Sequence, residues 1–580
     1  MLCCEPFMKN LIYKAKKIGN WLAAGDFITI YSMLMRHNPL AYYRLDDNAG
    51  YRKWLKAHKK KASPIVNGPY KPLISLLLVA TEDKAADTIQ SIIAQTYGNW
   101  QLCVAARDGM ESKDIRISIA NCEGKGHGYI LNDLLSMTKG EYVMIIREGD
   151  KLDPAALSFY IEALNKNKGY KVIYPDEDRI DQDGKHLDPF FKPNFSPNLL
   201  YSLDYISRGA MFKHGLIDGF DASLPSGHAY DLLLRIAQRL LMDEVHHIPH
   251  VLYHCLKISD GSINDALISC QITEKHLGAE AHSFDIDGER IFHKISCERL
   301  NSHPKISIII PTKDKLNLLK PCIDSIKSKT SYPDYEIIVI DNQSSEPDAL
   351  AYLKGLNRKN IKVLSYDKPY NYSAINNYAV KFAKGEVICF LNNDVEIIST
   401  NWLEEMMLWL QRPGVGIVGA KLYFPGTNNI QHAGMHCATN PYTKKDYITH
   451  GYIHQPRTTT GYLNNLYLAH EVSSVTGACL LMHKELFIAV GEFDAENTPT
   501  SYSDVDLCFR VRKKGYNVMW TPYAELTHHE SASRGLDIER SKAGYDYMTS
   551  KWPEYFKNDV AINANLTVYY GGYLTLRNKG

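Results

Sequence analysis

The chain has no apolar run near the roughly 18–20 residues that a membrane-spanning helix needs. Its start also lacks the charged, apolar and small-residue succession of a signal peptide. The twelve cysteines, from Cys3 and Cys4 to Cys508, show neither paired metal-site spacing nor a compact disulfide framework. They read as reduced thiols of a cytosolic protein. A dominant charge is missing too: 66 Lys and Arg against 65 Asp and Glu leave +1 over 580 residues, which argues against a nucleic-acid partner. No Gly-x-Gly phosphate loop with a following basic residue is found, which disfavours a nucleotidyltransferase. If the protein works at a membrane, it sits on the surface.

At 580 residues the chain exceeds what a single core serves, so two or more domains are expected. The near-neutral total conceals an asymmetry. Residues 1–70 carry twelve Lys and Arg against four Asp and Glu, a net of +8, and the other 510 sum to −7. Residues 1–71 read as a basic helical segment and linker, closed by Lys59-Lys60-Lys61 and Asn67-Gly68-Pro69. Trp21, Leu22, Phe27 and Ile30 among lysines suit two roles: a helical prop on the next domain, or an amphipathic contact with anionic lipid headgroups.

The rest of the chain repeats itself. Apolar runs of strand length, Ile74–Leu78 and Ile306–Ile310, each precede a helical stretch with Ser-Ile and a Thr five positions after the Ser: Ser91 and Thr96, then Ser325 and Thr330. Lys139-Gly140-Glu141 answers Lys384-Gly385-Glu386. Tyr230-Asp231-Leu232 answers Val505-Asp506-Leu507, each Asp with an Arg four residues on. The offset grows from 234 at the serines to 245 at the glycines and 275 at the aspartates, because the second copy carries insertions, chiefly between Leu422 and His470. Two copies of one domain are expected, over 72–295 and 303–580. In each, buried strands alternate with amphipathic helices, the pattern of an α/β fold with a mostly parallel sheet. Such sheets bind ligands beyond the carboxyl ends of their strands.

In the second copy those ends are rich in polar groups. Strand Ile306–Ile310 leads into Pro311-Thr312-Lys313-Asp314, and Ile337–Ile340 into Asp341-Asn342-Gln343. A carboxylate there suits a pyrimidine ring or a ribose hydroxyl, or else an Asx turn capping the next helix. Val387–Leu391 ends in Asn392-Asn393-Asp394, where an oxygen ligand in a polar turn suits Mg²⁺ or Mn²⁺ with a diphosphate, or is simply a turn. Asp504 opens the helix that carries Asp506 and Arg510, as a general base or as a cap. His528 and His529 follow an apolar strand, with Arg534 beyond, positioned for a metal and a phosphate or for ordinary packing.

Taken in order, these residues resemble glycosyltransferase family 2 of the GT-A fold, and within it the tandem-domain members that assemble bacterial O-antigen, capsule or rhamnan chains. The resembling stretches are Ser307–Asp314, Ile338–Ser344, Asn371–Asn377, Lys384–Glu396, Val475–Ala478 and Gly491–Gly535, with Tyr174–Asp178 and Phe191–Pro197 in the first copy. The resemblance implies two tandem GT-A, Rossmann-like domains and an inverting transfer from a nucleotide-diphosphate sugar, dTDP- or UDP-linked, with rhamnose a lean. It implies Asp314 and Asp341 at the base and ribose, and Pro311, Thr312, Asn342, Asn392, Asn393, Gly477 and Arg534 around the rest of the donor. Asp394 matches the last Asp of the metal-binding Asp-x-Asp motif, whose first Asp is Asn392 here. Asp504 matches the catalytic base, although the preceding acidic residue is Ser503, and His528 matches the metal-facing His. The acceptor implied is a growing or lipid-linked glycan, at the inner face of the bacterial plasma membrane.

The first copy departs from this pattern. Aligned on the repeats, Arg147-Glu148-Gly149 stands opposite Asn392-Asn393-Asp394, Ala229 opposite Asp504 and Ala106 opposite Asp341. A degenerate, non-catalytic first domain is expected. The alternatives are a bifunctional polymerase with both domains active, with His228 in place of the lost base, and a nucleotide-sugar-binding scaffold without turnover.

Overall fold

The computed structural model describes residues 47–59, 68–80, 84–107, 110–257, 263–287, 290–298, 300, 302–356, 360–439, 445–529, 538–569 and 573–576. The basic amino-terminal contact and Arg534 therefore lie outside the described residues.

Two large sheets follow one another along the chain, and their strand order is the same. The first runs Ile117–Asn121, Trp100–Ala106, Ile74–Ala80, Tyr142–Ile146, Met211–Lys213, Val172–Ile180, Val245–Leu256 and Lys151–Leu152. The second runs Ile361–Ser365, Tyr335–Asp341, Ile306–Thr312, Val387–Leu391, Cys479–His483, Val415–Tyr423, Asn517–His528 and Val395–Ile397. In each path the fifth and the last strand are reversed and the others run one way. The fold class is α/β with two tandem, mostly parallel Rossmann-like sheets.

The recurring residues recur because each does one job twice. Gly140 and Gly385 enter the central strands where a Cβ would come within 2.7 Å of Leu73 O and 2.6 Å of Lys305 O, so only glycine fits. Their N–H groups donate to Ser75 Oγ and Ser307 Oγ at 2.9 and 2.8 Å. Ser91 Oγ accepts the Leu152 N–H at 3.2 Å, and Ser325 Oγ the Ile397 N–H at 3.1 Å, tying each first helix to the short last strand. Asp231 and Asp506, both fully buried, each meet the Arg four residues on, at 3.0 and 2.8 Å, and a lysine from a later helix, Lys275 at 3.0 Å and Lys551 at 2.9 Å. A buried carboxylate held by two cations is costly to unpair, which makes this contact hard to lose in either copy.

The two sheets are locked together by polar contacts and by both ends of the described chain. Glu471, buried in the second half, accepts hydrogen bonds from Asn198 Nδ2 at 2.8 Å and Asn198 N–H at 3.2 Å, and contacts Ser196 Oγ. The carboxyl-terminal residues return to the first sheet, where Asn563 Nδ2 donates to Asp176 Oδ1 at 2.7 Å and to Lys192 O at 2.8 Å. Helix Asn48–Lys59 joins them: Tyr51, Trp54 and Leu55 pack with Phe191, Leu566 and Leu576. The ten described cysteines are free and buried. Among the described residues no helix is long and apolar enough to cross a membrane.

Candidate active site

The loop Val475–Ala478 is the hub of the second domain's strand ends. Gly477 N–H donates to Asp504 Oδ2 at 2.8 Å, and the next residue's carbonyl, Ala478 O, accepts the Asn392 N–H at 3.1 Å. The carboxylate at the helix start and the turn carrying Asp394 thus meet on two successive residues. A Cβ on Gly477 would stand 3.0 Å from Tyr372 Oη, so the missing side chain makes room for that hydroxyl. Tyr372 donates to Gly477 O at 3.0 Å and fixes the loop from the other side.

Asp504 is half-buried in the first turn of helix Ser503–Lys513. The residue before that helix, Tyr502, caps it in the left-handed region, at φ 63°. The cap is therefore Tyr502, and the Asp504 carboxylate turns toward the loop, its Oδ1 accepting the Val505 N–H at 2.9 Å. Burial raises its pKa above the ordinary carboxylate value, against the lowering from these N–H groups. A carboxylate of raised basicity beside the strand ends is suited to accept a proton.

Asp394 and His528 face each other, Oδ1 to Nε2, at 3.2 Å, and both are nearly buried. The imidazole's tautomer follows from Gln431. Its amide Nε2 donates to His528 O at 3.0 Å, so its Oε1, 2.7 Å from His528 Nδ1, must accept. In the neutral ring Nδ1 thus carries the hydrogen and Nε2 presents a lone pair toward Asp394. Two electron-pair donors at this separation match neighbouring ligands of an octahedral ion at about 2.1 Å, whose edge is roughly 3 Å. Asn392, whose Nδ2 is 3.3 Å from the same nitrogen, offers an amide oxygen to this place by a flip. The donor set of carboxylate, imidazole and amide fits Mg²⁺ or Mn²⁺. His529 turns away to Glu396, at 2.7 Å.

The donor-side residues divide. Asn342, buried, spends its amide on Tyr366 O at 3.0 Å and Lys368 O at 2.8 Å, and Asn393 Nδ2 donates to Thr312 Oγ1 at 2.9 Å. Pro311 lies beside Thr312 at the same strand end, half-buried. Asp314 accepts the N–H groups of Ser345 and Glu346 at 2.7 and 2.8 Å; the Glu346 N–H is the main cause of its lowered pKa. Asp341 is half-buried at its strand end, with Oδ1 on the Ser344 N–H at 3.0 Å.

Two residues outside the sequence reading prove important. Gln431 sits within the insertion between Leu422 and His470, where no pattern pointed to it. Tyr372 lies within the resembling stretch Asn371–Asn377, where the sequence assigns it no role. The rest of that stretch docks the segment leading to Asp504: Ser373 Oγ donates to Thr498 O at 2.6 Å, and Asn377 Nδ2 to Phe493 O at 2.8 Å.

Residues 307–491 match the family model described as glycosyl transferase family 2. Those residues are similar to the family 2 glycosyl transferases. The matched residues hold Asp314, Asp341, Asp394 and Gly477, while Asp504 and His528 follow beyond them. The chain is 36% identical over 532 residues to the uncharacterized protein y4gI of Sinorhizobium fredii, covering 86% of this chain and 58% of that protein. It is 31% identical over 538 residues to the O-antigen biosynthesis protein RfbC of Myxococcus xanthus, covering 87% of this chain and 40% of that protein. It is also 28% identical over 253 residues to the O-antigen chain rhamnosyltransferase RfbN of Salmonella typhimurium, covering 43% and 74%. The chain thus spans about half the length of the first two relatives.

A second cluster of metal-type ligands lies in the first domain: Asp178, His186 and His254. The Asp178 carboxylate accepts from His186 Nδ1 at 2.7 Å, His254 Nδ1 at 2.6 Å and Tyr51 Oη at 2.6 Å. Burial pushes its pKa up, yet the two imidazoles hold it down at about 2. These are hydrogen-bond lengths, shorter than the ligand edge of a bound ion, and the group serves as a latch for helix Asn48–Lys59.

Proposed function

We propose that the second domain is an inverting glycosyltransferase, which moves a sugar from a nucleotide-diphosphate donor to a hydroxyl of a growing or lipid-linked bacterial surface glycan. The observation that carries this reading is the pairing of Asp504 and the Asp394 turn on Gly477 and Ala478. Asp394 and His528, with Asn392, are the ligands for Mg²⁺ or Mn²⁺. Bound there, the ion would offset the charge that builds on a diphosphate leaving group. Asp504 takes the proton from the acceptor hydroxyl as its oxygen attacks the anomeric carbon from the opposite face. One displacement needs one base and no covalent intermediate. Asp341, with Pro311, Thr312 and Asn393, serves the donor side, and the same role falls to Arg534, outside the described residues. Relatives named for O-antigen biosynthesis and rhamnosyl transfer support a surface-glycan acceptor and lean toward a dTDP-linked rhamnose donor, with UDP-sugars next.

In this proposal the first domain does no chemistry. Gly149 replaces the carboxylate of Asp394, and Ala229 follows the left-handed Gly227 cap by the same two residues that separate Asp504 from Tyr502. The basic amino-terminal segment makes a peripheral contact with anionic lipid at the cytoplasmic face. A screen of nucleotide sugars with Mg²⁺ or Mn²⁺, reading released nucleoside diphosphate with and without a glycan acceptor, tests the function. Release that requires metal and acceptor supports it, and donor binding without turnover would instead leave a scaffold. A second sugar still transferred after loss of Asp394 and Asp504 would assign activity to the first domain.

A further inference from the structure

The first domain keeps an open cleft of about 580 Å³ at its strand ends, although the residues for donor chemistry are gone. Its size falls within the roughly 300–1,000 Å³ of ligand pockets. It is bounded by Val79 and Ile146–Glu148 at the carboxyl ends of two strands, by the helix start Gly227–Tyr230, and by the Ser207-Arg208 loop. These are the counterparts of the elements that hold Asp394, Asp504 and Gly477.

Three features for a nucleoside diphosphate are missing from it. The ribose-side carboxylate is replaced by the buried Ala106, in register with Ala80 as Asp341 is with Thr312. The metal carboxylate is replaced by Gly149. The metal-facing imidazole is replaced by Cys255, one residue beyond the pair Lys151↔His254, as His528 is one beyond Glu396↔Thr527. At this place Arg208 Nη1 stands 3.9 Å from Cys255 Sγ and 3.8 Å from Glu177 Oε1, so a guanidinium paired within the protein replaces an exchangeable ion.

The lining balances its charges. Lys84, Arg147 and Arg208 are the basic groups, and Glu148, Asp150, Asp204 and Asp265 the acidic ones, three against four. A phosphate-bearing ligand would find no excess of positive charge. A polyol finds carboxylates and cationic donors, the carboxylates already engaged within the chain but with acceptor capacity left, between apolar patches at Leu131, Ile268 and Ile272. We propose that this cleft is a metal-independent binding site for a neutral sugar chain, a segment of the glycan that the second domain extends. The link to that glycan rests on the proposed function, whereas sugar binding by the cleft does not.

The test uses the full chain with EDTA and no donor, on an array of neutral and anionic bacterial oligosaccharides, with UDP, GDP and dTDP as soluble competitors. Neutral oligosaccharides are expected to bind, with affinity unchanged by EDTA. Ala229→Trp, which fills the cleft, should weaken binding by at least about tenfold, or 1.4 kcal/mol. Asp265→Ala, at an exposed rim position, should weaken it several-fold without disturbing the fold. The proposal falls if no neutral oligosaccharide is retained, if both variants bind as wild type, or if the nucleotides displace the glycan. Because neither turnover nor metal is needed, failure of the transferase assay leaves this result standing.

Discussion

Replacing Asp504 by Asn removes a base while keeping the shape of the side chain. Asp504 accepts two backbone N–H groups, Gly477 at Oδ2 and Val505 at Oδ1, at 2.8 and 2.9 Å. An amide has one oxygen, so one of these donors would face an NH₂ group and go unsatisfied, at about 1–3 kcal/mol. That is tolerable against a typical stability of about 5–15 kcal/mol, and the variant should fold. Transfer should drop by about 10²–10⁴, the usual contribution of a placed general base, equivalent to about 3–5 kcal/mol in the barrier. The pH profile separates lost chemistry from distortion. Burial raises the Asp504 pKa, so wild-type transfer falls as pH drops through that raised value and protonates the base. In the Asn variant this acidic limb should vanish, while donor binding by calorimetry stays near wild type. Wild-type turnover in a folded variant, or an unchanged acidic limb, would refute the assignment.

Gln431→Leu should leave the His528 ring free to change tautomer and raise the metal concentration for half-maximal activity by about 10–100-fold, read in a Mn²⁺ titration. Asp394→Asn should weaken Mn²⁺ binding further, measured by electron paramagnetic resonance of the free ion. Burial raises Glu471 from 4.5 to about 7, so its contribution to stability is fully present below about pH 4.5 and is lost as pH rises through about 7. In Glu471→Gln that part of the pH dependence of Tm should disappear. Asn563→Ala strips donors from the buried Asp176 and should cost about 1–3 kcal/mol, seen as a lower Tm of the full chain. Liposome flotation with anionic vesicles should become weaker when residues 1–46 are removed or salt is raised.

The amino-acid sequence by itself determined the doubled architecture. A glycine against a neighbouring strand, a serine bonded to a short last strand and an Asp–Arg pair on a helix are local requirements of each copy, and they left the same residues in the same order. It also marked the places for chemistry, because apolar runs stopping at Asp341 and Asn392, and the polar helix start at Asp504, are visible in one dimension. Only the tertiary structure decided which of those polar groups are spent on partners within the chain. Asn342 and Asp314 are largely spent on backbone partners from other loops, 24 to 32 residues away. The orientation of His528 depends on Gln431, 97 residues distant, and the union of the Asp394 turn with Asp504 depends on two backbone groups of a third loop. Composition and periodicity report what a segment buries. The aim of a hydrogen bond depends on what the rest of the chain brings beside it.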